Sequence, residues 1–185
     1  AANQDYSKAQ FQLGIIYSYG KYIEQDINKS IHYLSLAANH NHTNAQFMLG
    51  IIYYENKYIE RNINKSIHYL KLDANQIHLN AQYMFGIIYY QGKYIERNIN
   101  KSIHYFLLAA NQNHLNAQFQ LGIIYYQGKY IERNINKSIY YLTLAANQDY
   151  VKAQFLLGII YYKGKYIKRD INKSIHYLTL VVNKN

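Results

Sequence analysis

The 185-residue chain contains no cysteine, no proline and no tryptophan. Without cysteine there are no disulfides and no thiolate metal sites, although the compartment stays open. Without proline nothing forces a helix to break, and no Pro-rich linker divides the chain. Long apolar runs are missing too. Stretches such as Leu121–Tyr126 (LGIIYY) fall far short of the roughly 18 residues that a membrane-spanning helix needs. Acidic residues are scarce, 10 against 20 Lys and Arg, and the resulting net charge of +10 favours acidic partners.

What is present is one unit copied in tandem. Ala9, Ala45, Ala81, Ala117 and Ala153 recur every 36 residues, as do Gly14, Gly50, Gly86, Gly122 and Gly158. The stretch Ala117–Asn134 (AQFQLGIIYYQGKYIERN) typifies the unit. A tandem array has no closed core, because each unit packs only on its neighbours, so the whole chain reads as a single array. Its units are about 7–42, 43–78, 79–114, 115–150 and 151–185. Residues 1–6 (AANQDY) match Ala145–Tyr150 and read as the end of a truncated preceding repeat. Neither end carries the polar cap such an array needs, which predicts a longer parent chain.

Each unit reads as two helices, A and B. Helix A of the first unit spans about residues 8–19, with Ala9, Leu13, Ile16 and Tyr17 on one face at about 100° per residue. Gln10, Gly14 and Ser18 fall on another side. Glycine costs about 1 kcal/mol against Ala inside a helix, so its return in every unit predicts a close approach of another backbone. Gly20, Gly92, Gly128 and Gly164, with Asn56 in the second unit, are placed to end helix A in the left-handed conformation. Asp26, Asn62, Asn98, Asn134 and Asp170 are placed as N-caps of helix B. Ile27, Ser30, Ile31, Leu34, Ala37 and Ala38 form its apolar stripe. Asn41, Asn113 and Asp149 suit a left-handed residue after helix B. The second unit has Ile77 there and Asp73 in place of Ala, which predicts the least regular junction of the array.

No chemistry-bearing constellation stands out. His32, His68, His104 and His176 form a sequence column interrupted by Tyr140. Stacked helices lie about 8–10 Å apart, while zinc–nitrogen bonds are near 2 Å, so one histidine per unit cannot close a site and the column reads as solvent-facing. An active site needs one singular arrangement, whereas repeated residues recur in like surroundings. The chain therefore reads as a non-enzyme with no catalytic residue, no cofactor and no metal. The sequence Asn-Lys-Ser recurs at Asn28, Asn64, Asn100, Asn136 and Asn172, formally a glycosylation signal. Its serines are expected to face the core from the first turn of helix B. Five crowded signals disfavour a secretory route and point to the cytoplasm. Lys21, Lys57, Lys93, Lys129 and Lys165, with Arg61, Arg97, Arg133 and Arg169, give the loops a basic edge. It reads either as a solvated face partly neutralised by the preceding glutamates, or as an edge for nucleic acid or an acidic peptide. The fifth unit, with Lys163, Lys165, Lys168, Arg169 and Lys173, is the most basic.

Two-helix units of similar length include the tetratricopeptide repeat, at about 34 residues, and Pumilio-type RNA-binding repeats, at about 36. The residues decide between them. Leu121, Gly122 and Tyr125, then Gly128, the N-cap, Lys137-Ser138 and Ala145-Ala146, with Ala153 opening the next unit, resemble the Sel-1-like repeat across all five units. Departures are Tyr22, Tyr58, Tyr94, Tyr130 and Tyr166 for the family's second loop glycine, Ser30 and its equivalents for an alanine, and Phe85 for a leucine. The resemblance implies an all-α, right-handed superhelix of five two-helix repeats, with helix A lining a concave groove that binds a protein or peptide. Carried over, the groove stripe is Gln46, Gln82, Gln118 and Gln154 with Tyr54, Tyr90, Tyr126 and Tyr162, all expected to look outward. Positions 12, 48, 84, 120 and 156, and 19, 55, 91, 127 and 163, vary between units and would tune the groove. The implied role is an interaction scaffold or adaptor. The alternatives are a basic nucleic-acid-binding array, which the residues favour less, and a spacer to another domain.

Overall fold

The computed structural model describes residues 2–21, 23–55, 57, 59–74 and 78–183, and among these it contains ten helices and no strand. In order they are α1 (Ala2–Tyr19), α2 (Ile27–Asn39), α3 (Thr43–Glu55), α4 (Ile63–Ala74), α5 (Leu79–Gln91), α6 (Ile99–Ala110), α7 (Leu115–Gln127), α8 (Ile135–Asn147), α9 (Val151–Lys163) and α10 (Ile171–Val182). Odd-numbered helices are the A helices and even-numbered ones the B helices. They fall into two compact units, Ala1–Met84 and Phe85–Asn185.

Local chemistry sets the helix ends. Asp26, Asn98, Asn134 and Asp170 take an extended backbone, and each side chain accepts a hydrogen bond from the N–H three residues on, at 2.9 Å. Asn62 does the same toward Lys65 at 3.0 Å. The N-cap's own N–H donates back to a tyrosine carbonyl of helix A, as in Asn134 to Tyr125 at 3.0 Å, so the A–B loop is closed on both sides. Gly20, Gly92, Gly128 and Gly164 have φ near +60°, as do Asn41, Asn113 and Asp149 after helix B. Asn56, Ile77, Tyr22, Tyr58 and the side chain of Asp73 lie outside the described residues. The expected irregular junction therefore lies there too. Residues 2–6 depart from the sequence reading: they continue helix A instead of ending a helix B. In complete repeats the turn is pinned by the N–H groups of residues 148–150 on the carbonyls of Ala145 and Ala146.

The glycine of helix A marks where the two helices of one repeat meet. A Cβ on Gly122 would lie 2.6 Å from Leu142 Cγ, and one on Gly86 would lie 2.4 Å from the Phe106 ring. Gly14, Gly50 and Gly158 meet Leu34, Leu70 and Leu178 in the same way. The neighbour is thus chiefly a helix B side chain and not the backbone expected from sequence. A hydrogen bond locks the crossing. Ser30, Ser66, Ser102 and Ser138 are buried and donate from Oγ to the carbonyls of Gly14, Gly50, Gly86 and Gly122, each at 2.8 Å. This is the core-facing role expected of the serines, and the adjoining asparagines are exposed.

Helix A is buried on more than the expected face. Ala117, Leu121, Ile124 and Tyr125 are buried, and so are Gln118 and Gly122 on the sides taken to be open. In the second unit, Leu142, Ala145 and Ala146 of α8 pack with Ala153, Leu157 and Ile160 of α9, sealed by Phe119, Ile135 and Ile139. In the first, Leu34, Ala37 and Ala38 pack with Ala45 and Leu49. Helices α3, α7 and α9 are each gripped by their own B helix and by the B helix before it, so a single-face pattern fails to describe them.

A second histidine column begins the A helices. The Nδ1 atoms of His42 and His114 accept the N–H groups of Ala45 and Ala117, at 3.3 and 3.2 Å. His42 also stacks on Phe11, with centroids 4.5 Å apart. Burial holds His42, His78 and His114 below the ordinary histidine value of 6.5. In the fifth unit Tyr150 takes this place and makes no side-chain cap.

Two outcomes follow from this packing. Gly122→Ala should destabilise the chain by about 1–3 kcal/mol, because the overpacking outweighs the roughly 1 kcal/mol gained in helix propensity. Gly122→Ala with Leu142→Ala should cost less than the sum of the two single changes in denaturant unfolding. A histidine held low in the fold binds fewer protons folded than unfolded. Stability should therefore be complete above pH about 6.5 and fall as pH drops below it. His42→Asn with His114→Asn, which keeps a cap without a titrating group, should flatten that slope in melts between pH 5 and 8.

Candidate functional site

The sequence-proposed stripe divides in two when its residues are placed. Gln46, Gln118 and Gln154 are 1% exposed and Gln82 is 5% exposed, which corrects the expectation that they look outward. The Nε2 atoms of Gln46, Gln118 and Gln154 donate to the carbonyls of Ala38, Ala110 and Ala146, at 3.3, 3.3 and 3.1 Å. Those carbonyls, in the last turn of the preceding B helix, also accept the N–H of the left-handed residue that follows it, Asn41, Asn113 or Asp149, at 2.9–3.0 Å. The glutamines therefore fasten one repeat to the next. Gln118 also accepts from Gln148 Nε2 at 2.7 Å.

The tyrosines stay accessible. Tyr54, Tyr90 and Tyr126 are half-buried at the C-terminal ends of α3, α5 and α7, and Tyr162 at the end of α9 is 53% exposed. Each of the first three is backed by an arginine. Arg61 donates from Nε to the Tyr54 carbonyl at 2.7 Å and from Nη2 to that of Glu55 at 3.3 Å. Arg97 repeats this on Tyr90 and Gln91, at 3.0 Å each, and Arg133 on Tyr126 and Gln127, at 2.9 and 3.3 Å. The arginine column thus caps the carbonyl end of helix A, where a cation is also favoured by the helix dipole.

A loop tyrosine from the following repeat completes each cluster in the compact unit Phe85–Asn185. Tyr130 stands edge-on to Tyr90, with centroids 5.9 Å apart, and lies under the Arg97 guanidinium at 4.6 Å. Tyr166 is placed likewise against Tyr126 at 6.0 Å and under Arg133 at 4.1 Å. Lys129 and Lys165 add a second cation, 5.0 and 5.1 Å from the rings of Tyr130 and Tyr166. Hydrogen bonding to Lys129, assisted by Arg97, holds the Tyr130 phenol below its ordinary range; Lys165 and Arg133 do the same to Tyr166. The tyrosines that replace the family's loop glycine are therefore the second half of each aromatic pair.

Sequence reasoning saw the basic column but not its geometry. One of its two readings had the glutamates partly neutralise the arginines. Glu96 and Glu132 are exposed, and neither forms an ion pair with Arg97 or Arg133 among the described residues. Consecutive side chains on an extended loop diverge, and the guanidinium turns back to the helix. The signal available was an arginine five residues after the left-handed glycine, within reach of the carbonyls that glycine leaves open.

The remaining candidates have other roles. Lys29, Lys65, Lys101, Lys137 and Lys173 lie over Tyr17, Tyr53, Tyr89, Tyr125 and Tyr161 at 5.1–5.3 Å, bracing the A–B crossing. His32, His68, His104 and His176 are exposed, and each edges the tyrosine beside it. No group of three or more potential metal ligands occurs among the described residues. Of the variable positions, 48, 84, 120 and 156 are half-buried, whereas 19, 55, 91, 127 and 163 are exposed beside the tyrosines.

Comparison with known proteins identifies the repeat and its fold. The Sel1 repeat profile matches residues 7–42, 43–76, 79–114, 115–150 and 151–180. No curated protein matches the chain. Among solved structures, a protective antigen of uropathogenic Escherichia coli strains with an SLR fold is 26% identical, at a TM-score of 0.90 over 99% of this chain. This chain spans only 39% of that protein. A Sel1 repeat protein from Oxalobacter formigenes is also 26% identical, with a TM-score of 0.85 over 100% of this chain and 76% of its own. An immunity protein from Pseudomonas aeruginosa shares the fold at 19% identity and a TM-score of 0.63, over 96% of this chain and 68% of its own. Five matched repeats, the ten helices and these neighbours agree: the chain belongs to the Sel1 repeat family, whose members are all-α solenoids that generally act as non-catalytic protein-interaction scaffolds.

Proposed function

We propose that this chain is a non-catalytic scaffold that holds a protein or peptide partner on the tyrosine-rich ends of its A helices. The observation that supports the reading best is the repeated pairing of Tyr90 with Tyr130 and of Tyr126 with Tyr166, each under an arginine already fixed to the backbone. Tyrosine and arginine supply wide contact area and hydrogen bonds, and they dominate the binding energy of protein interfaces. Here they are partly immobilised before any partner arrives, so less entropy is lost on binding. Tyr54 and Tyr162 hold the equivalent places. The residues beside them, Tyr19, Glu55, Gln91, Gln127 and Lys163, differ from unit to unit and would let near-identical clusters select a non-repetitive partner. The four glutamines contribute through the packing beneath and not through contact.

Peptides selected on the wild-type chain from a random display library provide the test. Tyr90→Ala with Tyr126→Ala should weaken the selected peptides at least about ten-fold while circular dichroism shows unchanged helicity. Gln118→Ala should lower the melting temperature and leave the affinity intact. If the tyrosine variant binds as the wild type does, the tyrosines only fill space between helices.

A further inference from the structure

Building on the scaffold reading, we propose that the two loop clusters of the compact unit Phe85–Asn185, Arg97–Lys129–Tyr130 and Arg133–Lys165–Tyr166, are carboxylate sites and that the partner segment they hold is an acidic polypeptide.

The two clusters are copies in geometry as well as in sequence. In each, a guanidinium lies over a loop tyrosine ring and a lysine ammonium sits about 5 Å from the same ring. Both cations lie within about 5 Å of one ring, so positive charge is concentrated around it and an anion beside that ring is favoured. Among the described residues no carboxylate forms an ion pair with Arg97 or Arg133, whereas ion pairs do join Lys8 to Asp5, Lys29 to Asp26 and Lys173 to Asp170. The arginines are also preset, because two hydrogen bonds to helix carbonyls fix each fork. A fixed guanidinium holds a carboxylate better than a free one, since little side-chain entropy remains to be lost. The phenols report the same field. Both are held below their ordinary range by these lysines and arginines, so the site already favours negative charge at that spot.

The glutamates decide between an acidic polypeptide and a nucleic acid. Glu96 and Glu132 stand exposed beside the arginines. A nucleic-acid strand carries a phosphate about every 3.4 Å and cannot avoid them. A polypeptide can space its acids to meet the cations and pass the glutamates with neutral residues. In the fifth unit Lys168 replaces the glutamate, so acids can be densest there.

Fluorescence anisotropy at about 150 mM salt tests the idea, since screening there suppresses unspecific long-range attraction. The probes are a 20-residue peptide with glutamates spaced by Gly and Ser, its glutamine counterpart, and a 20-nucleotide oligothymidylate. The glutamate peptide should bind at least about ten-fold tighter than the other two, the margin expected for charge-assisted hydrogen bonds. Arg97→Gln with Arg133→Gln should remove that preference. Lys129→Gln with Lys165→Gln, which touches no backbone bond and so leaves the fold intact, should reduce it several-fold. Lys71→Gln with Lys152→Gln, an equal loss of charge elsewhere, should change it little. Equal binding of the two peptides, tighter binding of the oligonucleotide, or equal effects of the two lysine pairs would overturn the proposal. Display-selected peptides that need Tyr90 and Tyr126 yet carry no excess of Asp or Glu would overturn it as well, while leaving the scaffold reading in place.

Discussion

The structure depends on one crossing, the place in each repeat where helix A offers a glycine to a large side chain of helix B. Gly122 has no Cβ, so Leu142 settles onto the bare backbone and Ser138 reaches the glycine carbonyl at 2.8 Å. Apolar contact and a directed hydrogen bond are satisfied at one point. A serine hydroxyl alone would be a costly group to bury, and a glycine alone would weaken its helix. Together each removes the other's penalty. The tyrosine of helix A, its stacked partner in helix B and the lysine above them then brace the same crossing, as in Tyr125, Tyr141 and Lys137.

With the crossing settled, the polar groups of the helix ends determine what faces outward. The last carbonyls of helix B are shared between the turn that follows and the buried glutamines of the next repeat, and those of helix A are taken by the arginines of its own loop. The first assignment pulls glutamine inside. The second turns a charged side chain back toward the helix while leaving its planar face exposed to a tyrosine. Structural duty and surface chemistry therefore meet in the same arginine, and the exposed tyrosine–arginine face is a by-product of how helix A ends.

The parts legible in the sequence are those decided within a few residues. Asn134 caps because the N–H it serves is three residues away, and Asp149 turns because its own φ is at stake. Both are visible without knowing the neighbours. Gln118 was misread because its acceptor, Ala110, belongs to another helix, and polarity alone suggested solvent. Arg133 was read as a surface charge because its acceptors lie six and seven residues back, across a left-handed glycine. Tyr130 looked like a mere departure from the family pattern because its partners, Tyr90 and Arg97, stand more than thirty residues away. Periodicity gave the repeat; it could not say which side of a twice-gripped helix remains free.

The Gly–Leu–Ser contact closes inside a single repeat, and this bears on how such a gene can change. A stretch of 36 codons carries its own crossing, its own turns and its own arginine cap. Recombination that adds or deletes one stretch therefore breaks no obligatory long-distance pairing. It only re-forms a junction that already exists elsewhere in the chain. Copy number becomes an inheritable dial for the length of the tyrosine-rich face, and point substitutions at the exposed positions are left free to diversify each copy's surface.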